Sequence, residues 1–333
     1  MKRITIAGTG AWGTALATHA ARTGLGVSLL GRRPDLVERL RSTRLHPALP
    51  GAPPIPDGVD VSTDAEAAFA GADAILWCVS VQATGQELSR LKGTIPQGTP
   101  VVAASKGLEL GTGRRTTEVI RQVLGRDSGI AVLSGPTFAL EVARGLPAAA
   151  VVASIDEELS ASIQALLSSP TMRLYRSPDV LGVEIAGASK NVVAIAAGLV
   201  DGLSLGQNTR AALLTRALAE IRRLGLKLGG APETFSGLAG VGDLILTATG
   251  DLSRNRRVGL ALASGKTLDE ALASLGGEVA EGVPTASVLA QLAREHGVEM
   301  PIAEAVVAIL SGRIPPLDAV TRLMTRGLKE EAR

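Results

Sequence analysis

Cysteine occurs once in the 333 residues, at Cys78, so neither an internal disulfide nor a Cys-x-x-Cys metal site can form. Cys78 lies in the strand-like run AILWCV and reads as a packed core thiol. Histidine is nearly as scarce, and His19, His46 and His296 are too scattered to cage a metal, so no metal site is expected. Aromatic residues make up only 2% of the chain, and 34 Lys plus Arg are almost balanced by 32 Asp plus Glu, a formal net charge of +2. With no basic run and no interleaved aromatics, no nucleic-acid surface is expected, and the partners point to small molecules. No stretch of roughly 18 residues runs apolar without a charge or a helix breaker. The start, MKRITIAG, enters a strand at once without an apolar leader. A soluble, cytoplasmic protein without membrane insertion is the expectation.

What is present is a globular composition, 46% hydrophobic and 20% charged, in a chain long enough for two domains that each bury a core. The first half alternates two periods. Short β-rich runs at 4–8, 27–31, 74–79, 100–105, 130–135 and 149–154 are separated by segments of helical spacing. This is the βαβ rhythm of a doubly wound, Rossmann-like parallel sheet. Residues 46–58, HPALPGAPPIPDG, hold five prolines and read as a long loop. From about residue 178 onward strand signals stop and helices joined by glycine-rich turns take over. The expected fold class is therefore α/β, with a dinucleotide-binding domain over 1–180 followed by an all-helical, substrate-binding domain over 181–333.

The first chemical signal is IAGTGAWGTALATHAARTG, in which Gly8, Gly10 and Gly13 form G-x-G-x-x-G between a strand and a helix. The first glycine permits the tight turn, the second lets backbone approach a pyrophosphate, and the third lets helix pack on strand. The helix N-terminus then faces the anion. A nicotinamide dinucleotide is expected here. The second strand ends LLGRR, so Arg32 and Arg33 stand where an NAD site usually has an acidic residue for the ribose hydroxyl. Guanidinium forks suit a 2′-phosphate, which favours NADP and leaves NAD open.

Ligands of such sheets lie beyond the carboxyl ends of the strands. PVVAASKGLE delivers Lys106 at one strand tip, and AVLSGPTFALEVARGLP delivers Gly135 and Thr137 at another. A lysine there would attract an anionic substrate. In EIAGASKNVVAIAAGLVDG, Lys190 and Asn191 interrupt a helix that is otherwise apolar all round. A buried lysine loses basicity, as a general acid/base near neutral pH requires, or it is simply paired, with Glu184 as an obvious partner. Farther on, GLAGVGDLILTATG sets Asp243 and Thr247 four residues apart on one helical face, where an aspartate can tune a lysine. In GDLSRNRRVG, Ser253 can cap a helix whose first amides, with Arg254 and Asn255, would hold a phosphate. GGEVAEGVPTA places Glu281 among small residues.

These motifs occur together and in order: GTGAWGTALA, SKGLE, SGPTFALEVARGLP, GASKNVVAIAAGLVDGL, AALLTRALAEI, FSGLAGVGDLILTATG, LSRNRRVG and AEGVPTA. Over nearly its full length the chain resembles the bacterial NAD(P)-dependent glycerol-3-phosphate dehydrogenases. The resemblance implies reversible hydride transfer between NAD(P)H and dihydroxyacetone phosphate, giving sn-glycerol 3-phosphate for phospholipid synthesis, in a protein that is usually a homodimer. Carried over by position, it implies Lys190 as general acid/base, supported by Asn191, Asp243 and Thr247. Lys106, Gly135 and Thr137 match substrate positions, as do Ser253, Arg254 and Asn255 around the phosphate. Ala11, Trp12, Arg32, Lys106, Ala139, Arg254, Val279 and Glu281 match cofactor positions. The chain departs from the family pattern at Ser189, often leucine, and at Ala280, often valine; neither change removes a functional group. Two other classes share parts of this pattern. Rossmann-plus-helical dehydrogenases of β-hydroxyacids or ketopantoate give no reason for LSRNRR beside Asp243, and a non-catalytic NADP sensor needs no Lys190 with Asp243.

Overall fold

The computed structural model describes residues 1–327 and 330. The first part alternates β1 (Arg3–Ala7), α1 (Ala11–Arg22), β2 (Gly26–Leu30), α2 (Pro34–Thr43), β3 (Val59–Ser62), α3 (Ala65–Phe69), β4 (Ala74–Trp77), α4 (Val81–Leu91), β5 (Val101–Ala103), α5 (Thr116–Leu124), β6 (Ile130–Ser134), α6 (Ala139–Arg144), β7 (Ala148–Ala153), α7 (Glu157–Leu167) and β8 (Met172–Ser177). One sheet runs β3-β2-β1-β4-β5-β6-β7-β8. The inner strands are buried along their whole length, as in AILW and IAVLS, because helices cover both faces.

Six strands match the runs legible in the sequence. The two outermost were missed: β3 and β8 lie at the sheet edges and alternate buried with exposed residues, so VDVS and MRLYRS lack the apolar run of a central strand. The sheet is also not parallel throughout. β7 pairs antiparallel to β6, and β8 follows β7 in parallel. The reason is the short link: α6 stays beside the strand tips, packed on α1, instead of crossing the sheet. Residues 45–58 contain no helix or strand.

The second part is helical among the described residues: α8 (Val180–Gly202), α9 (Gly206–Lys227), α10 (Pro232–Ser236), a π-helical turn at Leu238–Gly242, α11 (Asp243–Thr249), α12 (Arg254–Ala263), α13 (Leu268–Ala273), α14 (Gly282–Glu295), α15 (Pro301–Leu310) and α16 (Pro316–Met324). Residues 328–329 and 331–333 of the expected 181–333 span lie outside the described residues. α8 is long and apolar enough to cross a membrane, yet nearly all of it is buried inside the protein. It is the axis of this half, with α9, α11, α12 and α14 packed around it.

Glycine sets how closely α12 approaches that axis. A β-carbon added to Gly198 would lie 2.1 Å from the Arg256 carbonyl oxygen, and one on Gly259 would lie 2.1 Å from that of Ile195. Both contacts are with backbone, which cannot swing away, so neither position tolerates even a methyl group at this separation. Replacing Gly259 by alanine is predicted to cost about 3 kcal/mol by forcing α12 from α8. Calorimetry should show a melting temperature lowered by roughly 5–10 °C.

Candidate active site

The carboxyl ends of β1, β2, β4, β5 and β6 share one edge, and the strand order reverses between β1 and β4, where such sheets open a crevice. The three glycines there serve different ends. Gly8 has φ 117°, and a β-carbon on it would lie 2.9 Å from the Cys78 carbonyl carbon. A β-carbon on Gly13 would lie 2.0 Å from the Gly8 oxygen, so this glycine lets α1 close on the turn. At Gly10, by contrast, a β-carbon would meet nothing within 4 Å. The chain is open on that side, directly before a helix whose N-terminus has no side-chain cap.

Around this opening Ala11, Trp12 and Ala139 pack against the sheet core. The Trp12 Nε1 is buried with no hydrogen-bond partner among the described residues. An orphaned donor beside an uncapped helix start and an open glycine fits a bound dinucleotide. Arg32 and Arg33 follow β2 as exposed residues, Arg33 at the N-cap of α2. Across the crevice Glu281 Oε1 accepts from the Val81 amide at 3.1 Å, while Oε2 is buried without a partner among the described residues. Burial pushes this carboxyl up, against the pull of the Val81 amide and the Arg254 charge. Nothing in the sequence pairs Val81 with a residue 200 positions away, so this link was not foreseen. Val279 stands exposed nearby in the chain.

The reacting end is built on one carboxylate. Asp243, the first residue of α11, accepts from Lys190 Nζ through Oδ1 at 2.7 Å and from Lys106 Nζ through Oδ2 at 2.6 Å. Lys190 also donates to Thr247 Oγ1 at 2.7 Å, and that hydroxyl donates on to Asp243 Oδ1 at 3.2 Å. Lys106 donates further to the Gly135 carbonyl at 2.9 Å, which also accepts from Thr137 Oγ1 at 3.1 Å. The π-helical turn before Asp243 is the local device: an extra residue in the turn re-aims the next side chain. Burial drives the Lys190 ammonium down to about 7 despite Asp243, and the neighbouring charge of Lys106 adds to the shift. Asp243, though buried, is held below the usual carboxylate range by Lys106 and Lys190.

Glu184 is not the partner of Lys190. Its carboxylate accepts from the Thr117 amide at 2.9 Å, from Thr117 Oγ1 at 2.5 Å and from Arg115 at 3.3 Å, tying α8 to α5 instead. The Ser189 hydroxyl is buried and has no hydrogen-bond partner among the described residues, Lys190 included.

The two asparagines form a relay. Asn191 Nδ2 donates to the Lys106 carbonyl at 3.2 Å, Asn255 Nδ2 donates to Asn191 Oδ1 at 3.0 Å, and Asn255 Oδ1 accepts from the Gly282 amide at 2.9 Å. Ser253 caps α12, its hydroxyl accepting from the Arg256 amide at 3.2 Å. Arg256 turns away to Asp201. Within Ser253–Asn255, Arg254 is thus the side chain that makes no hydrogen bond or ion pair among the described residues.

A doubly wound sheet with this glycine turn, closed by a helical half that supplies a nearly neutral lysine, is the build of a nicotinamide-dependent oxidoreductase. Comparison with known proteins gives the family. Residues 3–160 match the model for the NAD-dependent glycerol-3-phosphate dehydrogenase N-terminus and residues 179–321 that for its C-terminus. The glycerol-3-phosphate dehydrogenase [NAD(P)+] of Dechloromonas aromatica is 48% identical over 330 residues, covering 99% of each chain. That of Geobacter sulfurreducens is 47% identical over 333 residues, again covering 99% of each. The crystal structure of glycerol-3-phosphate dehydrogenase from Coxiella burnetii superposes with a TM-score of 0.93 at 40% identity, covering 98% of this chain and 99% of that one. The chain belongs to the NAD-dependent glycerol-3-phosphate dehydrogenase family.

The charge balance of the lysine cluster is directly testable. Asp243→Asn leaves the buried Lys190 and the part-buried Lys106 facing a neutral amide, at an expected cost of about 3–5 kcal/mol near pH 6. Without that carboxylate the buried Lys190 binds its proton still more weakly than in the wild type, where burial already brings it to about 7, so the deficit is largest below that pH and shrinks as pH rises through it. Urea denaturation should find the deficit shrinking as pH rises from about 6 to 8.

Proposed function

We propose that this chain interconverts dihydroxyacetone phosphate and sn-glycerol 3-phosphate with NADPH or NADH, and that Lys190 is its general acid/base. The observation that carries the reading is the Lys190 ammonium, buried, brought to about 7 and held by Asp243 and Thr247 at 2.7 Å each. The dinucleotide would lie along Gly8, Gly10, Ala11, Trp12 and Gly13, with Arg32 and Arg33 at the adenosine end, and Ala139, Val279 and Glu281 near its other contacts. When bound, it supplies or accepts the hydride.

The protein's own work is on the proton and the phosphate. Two of the three directions around the tetrahedral Lys190 nitrogen are taken by Asp243 and Thr247, leaving one for the substrate oxygen. Protonated, the lysine donates there and stabilises charge growing on the carbonyl oxygen; neutral, it offers a lone pair to the alcohol proton. Lys106, Gly135, Thr137 and Asn191 line the same end. Arg254, without a hydrogen bond or ion pair among the described residues, would hold the phosphate with the capped helix terminus of Ser253 and Asn255, and that binding would orient the carbonyl. In this reading residues 1–180 serve the cofactor and 181–333 the substrate. The product would feed glycerophospholipid synthesis, in a cytoplasmic homodimer.

The first experiment is oxidation of NADPH and of NADH by the purified protein with dihydroxyacetone phosphate, followed from pH 5.5 to 9. Turnover is expected with a preference for NADPH set by Arg32 and Arg33. Ketone reduction needs protonated Lys190 and should fall as pH rises through about 7, whereas alcohol oxidation should rise over the same interval. Lys190→Ala should lower turnover by roughly 10²–10⁴-fold while still binding cofactor; near-normal turnover would sink the assignment. Arg254→Ala should chiefly raise the KM for dihydroxyacetone phosphate and relax discrimination against unphosphorylated ketones. Unaltered kinetics with both kinds of substrate would remove Arg254 from the phosphate site.

A further inference from the structure

The proline-rich segment between α2 and β3 has no secondary structure, yet it is fastened at several points. Leu49 and Ile55 are buried, and the Ile55 amide donates to the Arg44 carbonyl at 2.9 Å. Arg44 reaches back to the Val59 and Asp57 carbonyls at 2.9 and 3.0 Å. From α6, Arg144 donates to the carbonyls of Pro50 at 3.1 Å and Gly51 at 3.2 Å. Near the start of this strap stands His46.

The His46 ring has one possible arrangement of its proton. Nδ1 accepts from the Ala48 amide at 3.1 Å, so the hydrogen is on Nε2, which donates to the Thr9 carbonyl at 3.0 Å. Burial keeps the imidazole neutral, against the pull of the Thr9 carbonyl, and the charges of Arg33 and Arg39 add to the effect. Thr9 is the residue between the first two glycines of the Gly8–Gly13 turn. Its side chain is wedged at the tip of β2, where a β-carbon on Gly31 would lie 2.6 Å from Thr9 Cγ2.

The peptide group joining Thr9 to Gly10 is planar and trans, so its C=O and N–H point in opposite directions. Fixing the carbonyl therefore fixes the amide. We propose that His46 is a positioning residue for the dinucleotide: by holding the Thr9 carbonyl it aims the Gly10 N–H into the open side of the glycine turn, where a pyrophosphate would sit. This rests on the nicotinamide reading above. It separates two contributions within one small region. Arg32 and Arg33 address a 2′-phosphate and so concern NADPH alone, whereas His46 acts on the pyrophosphate that NADPH and NADH share.

The test is direct titration of nicotinamide fluorescence, without turnover, for wild type, His46→Ala, His46→Gln and Arg144→Gln. His46→Ala should raise the Kd of NADPH and of NADH by the same factor, about five- to tenfold, the scale of one hydrogen bond. His46→Gln, whose amide can donate to the same carbonyl, should recover most of the loss. Arg144→Gln, which frees the strap from α6 but keeps the histidine, should stay within about twofold of wild type. The inference falls if His46→Ala binds both nucleotides like wild type, if its loss is confined to NADPH, or if glutamine is no better than alanine. It also falls if Arg144→Gln weakens binding as much, since general ordering of the strap would then be the cause. Wild-type protein that binds neither nucleotide would overturn the dehydrogenase reading and this inference with it.

Discussion

A single buried carboxylate between one buried and one part-buried ammonium group is the interaction on which the site depends. Asp243 comes from the helical half, Lys106 from the tip of β5 and Lys190 from α8, so the cluster is also a joint between the two parts of the chain. One negative charge cannot fully compensate two positive ones away from water. The surplus proton is the one that can leave, and Lys190, the more buried of the lysines, is where its loss is easiest. A mobile proton at an otherwise rigid place thus follows from an unequal charge count, without any flexible element. The arrangement costs stability, and the apolar packing around α8 has to offset that cost.

The rest of the architecture holds those groups still. Glycines let α12 and the start of α14 close tightly on α8, and Glu184 ties the same helix to α5 through Thr117 and Arg115. The Asn191–Asn255 relay then links the backbone at Lys106 to the starts of α12 and α14. These asparagines are spent on one another and on backbone groups. On the proposed function, their part would be to fix where Lys106 and the start of α12 stand.

Much of this was legible in the sequence because the local signals agree with the global fold. The glycine spacing, the apolar runs of the inner strands and the polar pair inside an apolar helix each follow from a rule that needs no neighbour. What could not be read depends on residues far apart in the chain. β3 and β8 escaped because an edge strand buries only alternate residues, and the reversed direction of β7 depends on where α6 packs. Glu184 was offered as a partner for Lys190 on sequence proximity alone, but its side chain leaves the helix toward α5. The proline content of 46–58 correctly denied it helix or strand, yet could not reveal that the segment is fastened to the glycine turn by His46.

Charge distribution completes the argument. The formal net charge of +2 over 333 residues provides almost no long-range attraction for a doubly charged phosphate, particularly at cellular ionic strength. Selection of an anionic substrate must therefore be local, and the crevice has the means. Lys106 has two of its three donor directions taken, by Asp243 and Gly135, which leaves one. Arg254 has no partner of its own among the described residues and lies close enough to Glu281 to influence its carboxyl. If, as proposed, Arg254 holds the phosphate end and Lys190 an oxygen, a small ketone phosphate would have little rotational freedom left. Affinity for the phosphate and orientation of the reacting carbon would then be one constraint imposed at two ends of a three-carbon molecule.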